Sequence, residues 1–115
     1  MCKLFIGASA TLWMSRTHSL RIDGVATSIR MEEFFWSVLA RIANRDRLTI
    51  NQLITRLYHE SLDADHDIGN FTSFLRVCSG RYLDLMAREE IVTDETCSLA
   101  EVDADGILSR EVSRT

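Results

Sequence analysis

The sequence predicts an α+β domain with a short β-ribbon followed by two helices and an additional third helix. Residues 25–31 alternate between apolar and polar side chains, which is typical of a half-buried strand. Three later stretches repeat apolar residues at helical spacing. With 115 residues and 46% hydrophobic side chains, the chain is expected to build one modest core, and its composition indicates neither a disordered nor a membrane protein.

The predicted strand has two different faces. The apolar face consists of Val25, Thr27, Ile29 and Met31. The opposite face is small and polar with one arginine, and consists of Ala26, Ser28 and Arg30. Residues 19–22 form a short arm before Asp23-Gly24, a pair favoured in tight hairpin turns, so a hairpin within the chain is one option. A lone strand leaves its backbone groups unpaired, so pairing with a second copy is the other option and the simpler one.

Two helices are predicted directly after the strand. The first is expected over residues 32–44, and its first turn holds two glutamates, which the helix dipole favours. The second is expected to begin after Thr49 and to end near Leu62. Thr49 is followed three residues later by Gln52, which is the spacing of a capping box.

The rest of the chain is acidic. A third helix is expected from the N-cap residue Asn70 to about Glu89. From Ile91 onwards the periodicity is poor, and a short helical piece is expected only near residues 97–102. The domain organisation is then an N-terminal arm (1–17), a core (18–62), an acidic linker with the third helix (63–90) and an acidic, flexible tail (91–115).

The net charge of −4 is unevenly distributed along the chain. Residues 1–60 carry eight basic and five acidic side chains, residues 61–90 carry three and six, and residues 91–115 carry two and six. The basic excess coincides with the strand and the first two helices. A nucleic-acid partner is therefore compatible with the acidic total.

No metal or cofactor site is expected. Cys2, Cys78 and Cys97 are an odd number without paired spacing, which favours a reducing cytoplasm over a disulfide framework or a zinc site. The acidic run 63–67 imitates the start of a calcium loop but lacks the glycine and the glutamate that such a loop requires further on. The longest apolar run, 4–14, is too short to span a membrane and is a poor match to a signal peptide.

An enzyme is not expected either. Cys2 would be an N-terminal nucleophile if Met1 were removed, but no oxyanion site or substrate pocket accompanies it. The aromatic residues have the helical spacing of core residues and are not interpreted as base-stacking groups: Phe35, Trp36, Phe71, Phe74 and Tyr82.

The sequence resembles a family of bacterial ribbon-helix-helix proteins in the superfamily of the Arc and MetJ repressors. The similar runs are SLRIDGVATSIRMEEFFWSVLARIANRDRLTINQLITRLYHE and GNFTSFLRVCSGRYL, which together cover about residues 18–83. Members of this family share a strand that contains an arginine, a following helix that contains Phe-Trp, and a Gly-Asn pair at the start of the third helix. The resemblance implies an intertwined homodimer through the strand and second helix, whose paired strands enter the major groove of DNA.

The resemblance also implies two sets of contacts with DNA. The base-contacting residues would be Ala26, Ser28 and Arg30, of which the arginine can bond both acceptors on a guanine edge. The phosphate-contacting residues would surround the start of the second helix: Arg45, Arg47, Thr49, Ile50 and Asn51.

The implied function is a cytoplasmic, repressor-like regulator of bacterial transcription that binds double-stranded DNA. The strand carries only one long polar side chain and the chain is acidic, so an alternative remains. In that alternative the protein is a dimeric interaction module, antitoxin-like or an adaptor, with little or no DNA binding. Its protein partner would contact the third helix or the acidic tail.

Overall fold

The structure, a computed structural model, describes residues 2–64 and 70–114. A short helix α1 (Cys2–Ile6) and a 3-10 turn (Ala10–Trp13) precede the strands β1 (Ser15–Ile22) and β2 (Val25–Glu32). Three longer helices follow, namely α2 (Glu33–Arg45), α3 (Ile50–Asp63) and α4 (Phe71–Ala87). A second 3-10 turn (Leu99–Glu101) and helix α5 (Ala104–Arg114) complete the described chain.

The two strands form an antiparallel hairpin. Pairing runs along their full length, from Ile22 opposite Val25 to Ser15 opposite Glu32. Asp23 and Gly24 have φ values of 53° and 81°, the left-handed conformation that a two-residue turn requires and that glycine adopts without strain. The hairpin option is therefore confirmed. The inference that β2 needs a strand from a second copy is wrong, because β1 is its partner; the intertwined homodimer stays a prediction.

The inward face of the hairpin packs against the helices. Leu20 and Ile22 of β1 lie beside Ile29 and Met31 of β2, and all four side chains are buried. The same core contains residues from three helices: Trp36, Leu39, Ala43, Leu53, Ile54 and Leu75. The predicted inward face of β2 is thus confirmed except at Val25, which is exposed beside the turn.

The helix starts agree with the local sequence signals. At the start of α3, the Gln52 amide donates to Thr49 Oγ1 at 3.1 Å and the Thr49 amide donates to Gln52 Oε1 at 2.9 Å, which completes the capping box. At the start of α4, the amide of Ser73 donates to Asn70 Oδ1 at 3.3 Å. Helix α4 ends at Ala87, two residues before the predicted end.

The C-terminal part differs from the flexible tail that the sequence suggests. Ile91 and Ile107 are buried in a second cluster with Val38, Tyr82 and Met86. The helical piece expected near residues 97–102 is present as a 3-10 turn, and α5 follows it. Long-range apolar contacts therefore hold a segment whose own periodicity is weak.

Candidate nucleic-acid interface

The outward face of the hairpin contains all three predicted base-contacting residues. Ala26, Ser28 and Arg30 alternate along β2 with the buried residues, and all three are exposed. The structure thus places these residues together on one solvent-facing surface.

Strand β1 adds three residues to this surface that the sequence interpretation did not assign. Thr17 lies opposite Arg30, Ser19 lies opposite Ser28, and Arg21 lies opposite Ala26; all three β1 residues are exposed. The available signal was the alternation running back from the turn, in which Ile22 and Leu20 point inward. Residues 16–18 are all polar, so the alternation of apolar and polar side chains cannot be followed further back along β1.

Four exposed arginines form no ion pair with any described residue. Arg21 and Arg30 lie on the outward face of the hairpin, and Arg21 Nη1 donates to the carbonyl of Gly24 at 3.1 Å. Arg47 lies in the loop before α3, and Arg56 lies on the exposed side of α3. The exposed, unpaired positive charge of the described residues is thus concentrated on the hairpin and α3, apart from Lys3 near the N-terminus.

Two carboxylates of the acidic C-terminal part form ion pairs with arginines outside the hairpin. Hydrogen bonds from Arg41 and then from the Tyr82 hydroxyl lower the pKa of the Glu95 carboxyl. Hydrogen bonds from Arg81 and Arg88 lower the pKa of Glu111 to about 2. Glu95 therefore remains charged and paired with Arg41, and Glu111 with Arg81 and Arg88, so neither is paired with an arginine of the hairpin.

Helix α3 runs beside β1. Near its start, His18 Nε2 lies 2.5 Å from Asn51 Oδ1, and His18 is adjacent in β1 to the residue that faces Arg30. Near its end, His59 Nε2 lies 3.0 Å from both carboxylate oxygens of Asp23 in the hairpin turn. The start of α3 therefore lies beside the middle of β1, and its last turns lie beside the hairpin turn.

Four of the residues predicted to contact phosphate lie at or just before the start of α3: Arg47, Thr49, Ile50 and Asn51. The capping box uses the amides of Thr49 and Gln52, while the amides of Ile50 and Asn51 lie in the same first turn outside that box. First-turn amides at the positive end of a helix are a favourable site for an anion. Arg47, which is exposed two residues before the cap, adds a full positive charge.

Arg45 does not belong to this site, so its predicted phosphate contact is wrong. Only 4% of its surface is exposed, and its guanidinium donates to the carbonyls of Cys97 at 2.7 Å and Val92 at 2.9 Å. It also lies 3.3 Å from the Tyr82 hydroxyl. Arg45 therefore anchors residues 92–97 to α2, as its position seven residues after the buried Val38 would have suggested.

A second exposed surface is apolar. The residues concerned are between 37% and 77% exposed, and we define them together as the N-terminal apolar surface: Leu4, Phe5, Ile6, Leu12, Trp13, Met14 and Phe34. Its 3-10 turn packs on α2, and the carbonyl of Met14 accepts a hydrogen bond from the Glu33 amide at 2.8 Å. The surface thus has a fixed position beside the open end of the hairpin.

Within residues 2–64 and 70–114, no three His, Cys, Asp or Glu side chains come together as a metal site. Asp65 and Asp67 of the calcium-like run lie outside the described residues. None of the described helices has the length and apolar character needed to cross a membrane.

A solvent-facing antiparallel ribbon followed directly by two helices defines a β-ribbon class of domain, a class whose strands can enter a DNA groove. The model of the ribbon-helix-helix domain family matches residues 15–83, and the chain belongs to this family. Proteins with this domain are typically DNA-binding regulators, and the family is not a family of enzymes.

One similar solved structure extends beyond the domain. It is that of an uncharacterized protein from Bordetella pertussis Tohama I, with 45% sequence identity and a TM-score of 0.88. The match covers 93% of this chain and 86% of that protein, so it includes the C-terminal part as well as the ribbon. The comparison with curated proteins gave no match.

Proposed function

We propose that the protein is a DNA-binding transcriptional regulator that inserts its β-ribbon into the major groove. The observation that carries this proposal is the outward face of the hairpin, where Arg21 and Arg30 are exposed without ion pairs to described residues. The groove admits a two-stranded ribbon, and an arginine fork matches the O6 and N7 acceptors of guanine. The small side chains of Ser19 and Ser28 between them let the backbone approach the base edges.

Phosphate contacts would hold the ribbon in register. The amides of Ile50 and Asn51 and the charge of Arg47 would contact one phosphate group beside the groove. Arg56 on the exposed side of α3 would contact the backbone further along. Such contacts supply affinity without sequence information, whereas the arginines of the ribbon supply base preference.

A homodimer is the second part of the proposal. Contact through β2 and α3, as the family resemblance implies, would involve a strand already paired with β1 and a polar outward side of α3 around Gln52, Thr55 and Arg56. The N-terminal apolar surface offers more apolar area, so we expect the two copies to contact each other through it. At ~150–250 Å² per large side chain when fully exposed, its exposed fractions amount to roughly 600–1,000 Å², which is about one side of a standard interface.

The direct test of the function is selection of bound fragments from bacterial genomic DNA by the full chain, followed by affinity measurements at several salt concentrations. With two phosphate groups contacted by each chain, a fourfold rise in salt should weaken the binding of one chain roughly 12-fold. Replacing both Arg21 and Arg30 by alanine should remove the preference for the selected fragments. The matched control Arg110→Ala removes one exposed arginine on α5 and should retain the preference.

A protein-interaction module is the second candidate, because the N-terminal apolar surface is larger than the patch of about 300–600 Å² that a monomer usually exposes. In that case, replacing both Arg21 and Arg30 by alanine would leave the binding of the partner protein unchanged. Charged substitutions in the apolar surface would abolish it.

A further inference from the structure

The two strands of the hairpin carry related sequences. Residues 17–22 read Thr-His-Ser-Leu-Arg-Ile, and residues 26–31 read Ala-Thr-Ser-Ile-Arg-Met. Each segment has a small residue, a serine and an arginine at alternate positions, and its last apolar side chains are buried. The similarity concerns both faces of the ribbon.

The pairing register makes this similarity a spatial symmetry. Ser19 faces Ser28, with 3.4 Å between their hydroxyl oxygens. Neighbouring antiparallel strands are related locally by a half-turn perpendicular to the ribbon. A half-turn between these two serines exchanges Arg21 with Arg30 and Thr17 with Ala26, because each residue of β1 maps onto the residue nine positions later.

We propose that one chain contains a complete, pseudo-twofold DNA-reading ribbon, in which Arg21 is a second base-contacting residue equivalent to Arg30. The proposal rests on the proposed function and specifies its ligand. The ligand is duplex DNA with two guanines related by a local twofold axis, one on each strand. A symmetric ribbon fits such a site because the DNA duplex has the same kind of local symmetry.

The spacing of the arginines sets the spacing of the guanines. Arg30 is four residues from Ala26, the cross-strand neighbour of Arg21. At ~3.3 Å per strand residue, the two backbone positions are about 13 Å apart along the ribbon. This distance corresponds to about four base-pair steps at ~3.4 Å each. The two guanines are expected within that span.

The proposal differs from an intertwined dimer in a measurable way. In a ribbon formed by β2 of two copies, both arginines would be Arg30, and Arg21 would read no base. In the single-chain ribbon each arginine reads one half of the site. The two arrangements therefore predict different effects for the two single substitutions.

The experiment is selection from a randomised duplex library by the full chain, with sequencing of the bound duplexes. We expect each ribbon of the parent to select two guanines on opposite strands. Arg21→Ala and Arg30→Ala should each retain preference for one guanine and lose the other by roughly 5- to 150-fold, and the double variant should lose both. Arg21→Gln keeps an amide donor near the Gly24 carbonyl, but its amide matches the edge of adenine and not the two acceptors of guanine, so it should lose the same guanine as Arg21→Ala.

Arg110→Ala is the matched control for loss of one positive charge, and its selected sequences should equal those of the parent. If Arg30→Ala loses both guanines and Arg21→Gln loses none, the single-chain ribbon is overturned while DNA binding stands. If the parent selects no sequence at all, the proposed function and this proposal are both overturned. Circular dichroism of each variant shows whether the fold is intact, and Arg21→Gln decides the outcome if Arg21→Ala is unfolded.

Discussion

His18 on β1 and Asn51 in the first turn of α3 are joined side chain to side chain, with Nε2 and Oδ1 2.5 Å apart. His18 also lies against the Trp36 ring, with the ring centroids 5.3 Å apart. The strand that would read bases and the helix that would bind phosphate are thus held together directly. In the proposed complex, this contact fixes the distance between the two kinds of DNA contact.

The first prediction concerns this contact. Asn51→Ala removes the hydrogen bond to His18 while keeping the backbone amide of residue 51 and a good helix former. We expect DNA affinity to fall by about 0.5–1.5 kcal/mol for every duplex, because one hydrogen bond that positions α3 is lost. Base preference should not change. Affinities for a selected duplex and for a scrambled one measure both effects, and a change confined to the selected duplex would contradict the positioning role.

The second prediction concerns stability. Arg45→Met keeps much of the buried side-chain volume but removes the donors that bind the carbonyls of Val92 and Cys97. We expect the free energy of unfolding in urea to fall by about 2–4 kcal/mol, because hydrogen bonds from a charged group contribute about 1.5–3 kcal/mol each and are partly offset by the lower cost of burying Met.

Arg47→Met is the matched control for this substitution, since Arg47 is exposed and has no ion pair with the described residues. Arg47→Met should change the free energy of unfolding by no more than about 0.5 kcal/mol. Equal losses for the two variants would show that the contacts of Arg45 do not stabilise the fold.

The third prediction concerns pH. In the folded protein Arg81 and Arg88 lower the pKa of Glu111 from 4.5 to about 2. A lowered pKa means that the ionised form is favoured by folding, so this contribution is fully present above pH 4.5 and is lost as the pH falls towards 2. Hydrogen exchange of the α5 amides should therefore lose protection in that range.

Two substitutions check the assignment to Glu111. Glu111→Gln should remove most of the change in α5 protection between pH 4.5 and 2, because the titrating group is gone. Glu101→Gln, at an exposed position without an ion pair to described residues, should behave like the parent. If both variants retain the full change, another group causes it.

The fourth prediction concerns the homodimer. Light scattering should give twice the chain mass of 13.1 kDa, and Phe5→Asp combined with Trp13→Asp should give the single mass, because charges would be placed in the N-terminal apolar surface. Val77→Asp with Val92→Asp changes two exposed apolar residues elsewhere and should leave the dimer intact. A parent of single mass, or a dimer that survives the first pair of changes, would contradict this interface.

Trp13 provides an independent signal for the same interface. It is 56% exposed in the single chain, whereas the other tryptophan, Trp36, is 1% exposed. Acrylamide should therefore quench the fluorescence more strongly on dilution to the monomer. Quenching that does not depend on protein concentration would mean that Trp13 is outside the contact.

Elements with local signals were predictable from the sequence. Thr49 with Gln52, and Asn70, satisfy backbone amides only a few residues away, so the starts of α3 and α4 can be identified without knowledge of the fold. The Asp23-Gly24 turn is equally local. The alternating face of β2 also follows from neighbouring residues, and its three outward residues were assigned correctly to one surface.

Features that depend on distant contacts were not predictable. Arg45 and Arg47 have the same chemistry in the same short segment, and only the packing of residues 92–97 on α2 makes one of them buried. The first half of β1 looks too polar for a half-buried strand because the neighbours of His18, on α2 and α3, are far away in sequence. The order of the C-terminal part is not predictable from its own residues, since the partners of Glu95 and Glu111 lie in other helices.

The central claim is that arginines of the ribbon read guanine edges in the major groove. Its most direct test is the affinity of the parent for a selected duplex and for the same duplex with 7-deazaguanine, which lacks only the N7 acceptor. We expect the substitution to weaken binding by about fivefold or more per guanine for the parent and to have no effect on the Arg21→Ala, Arg30→Ala double variant. Equal affinity of the parent for both duplexes would contradict the claim.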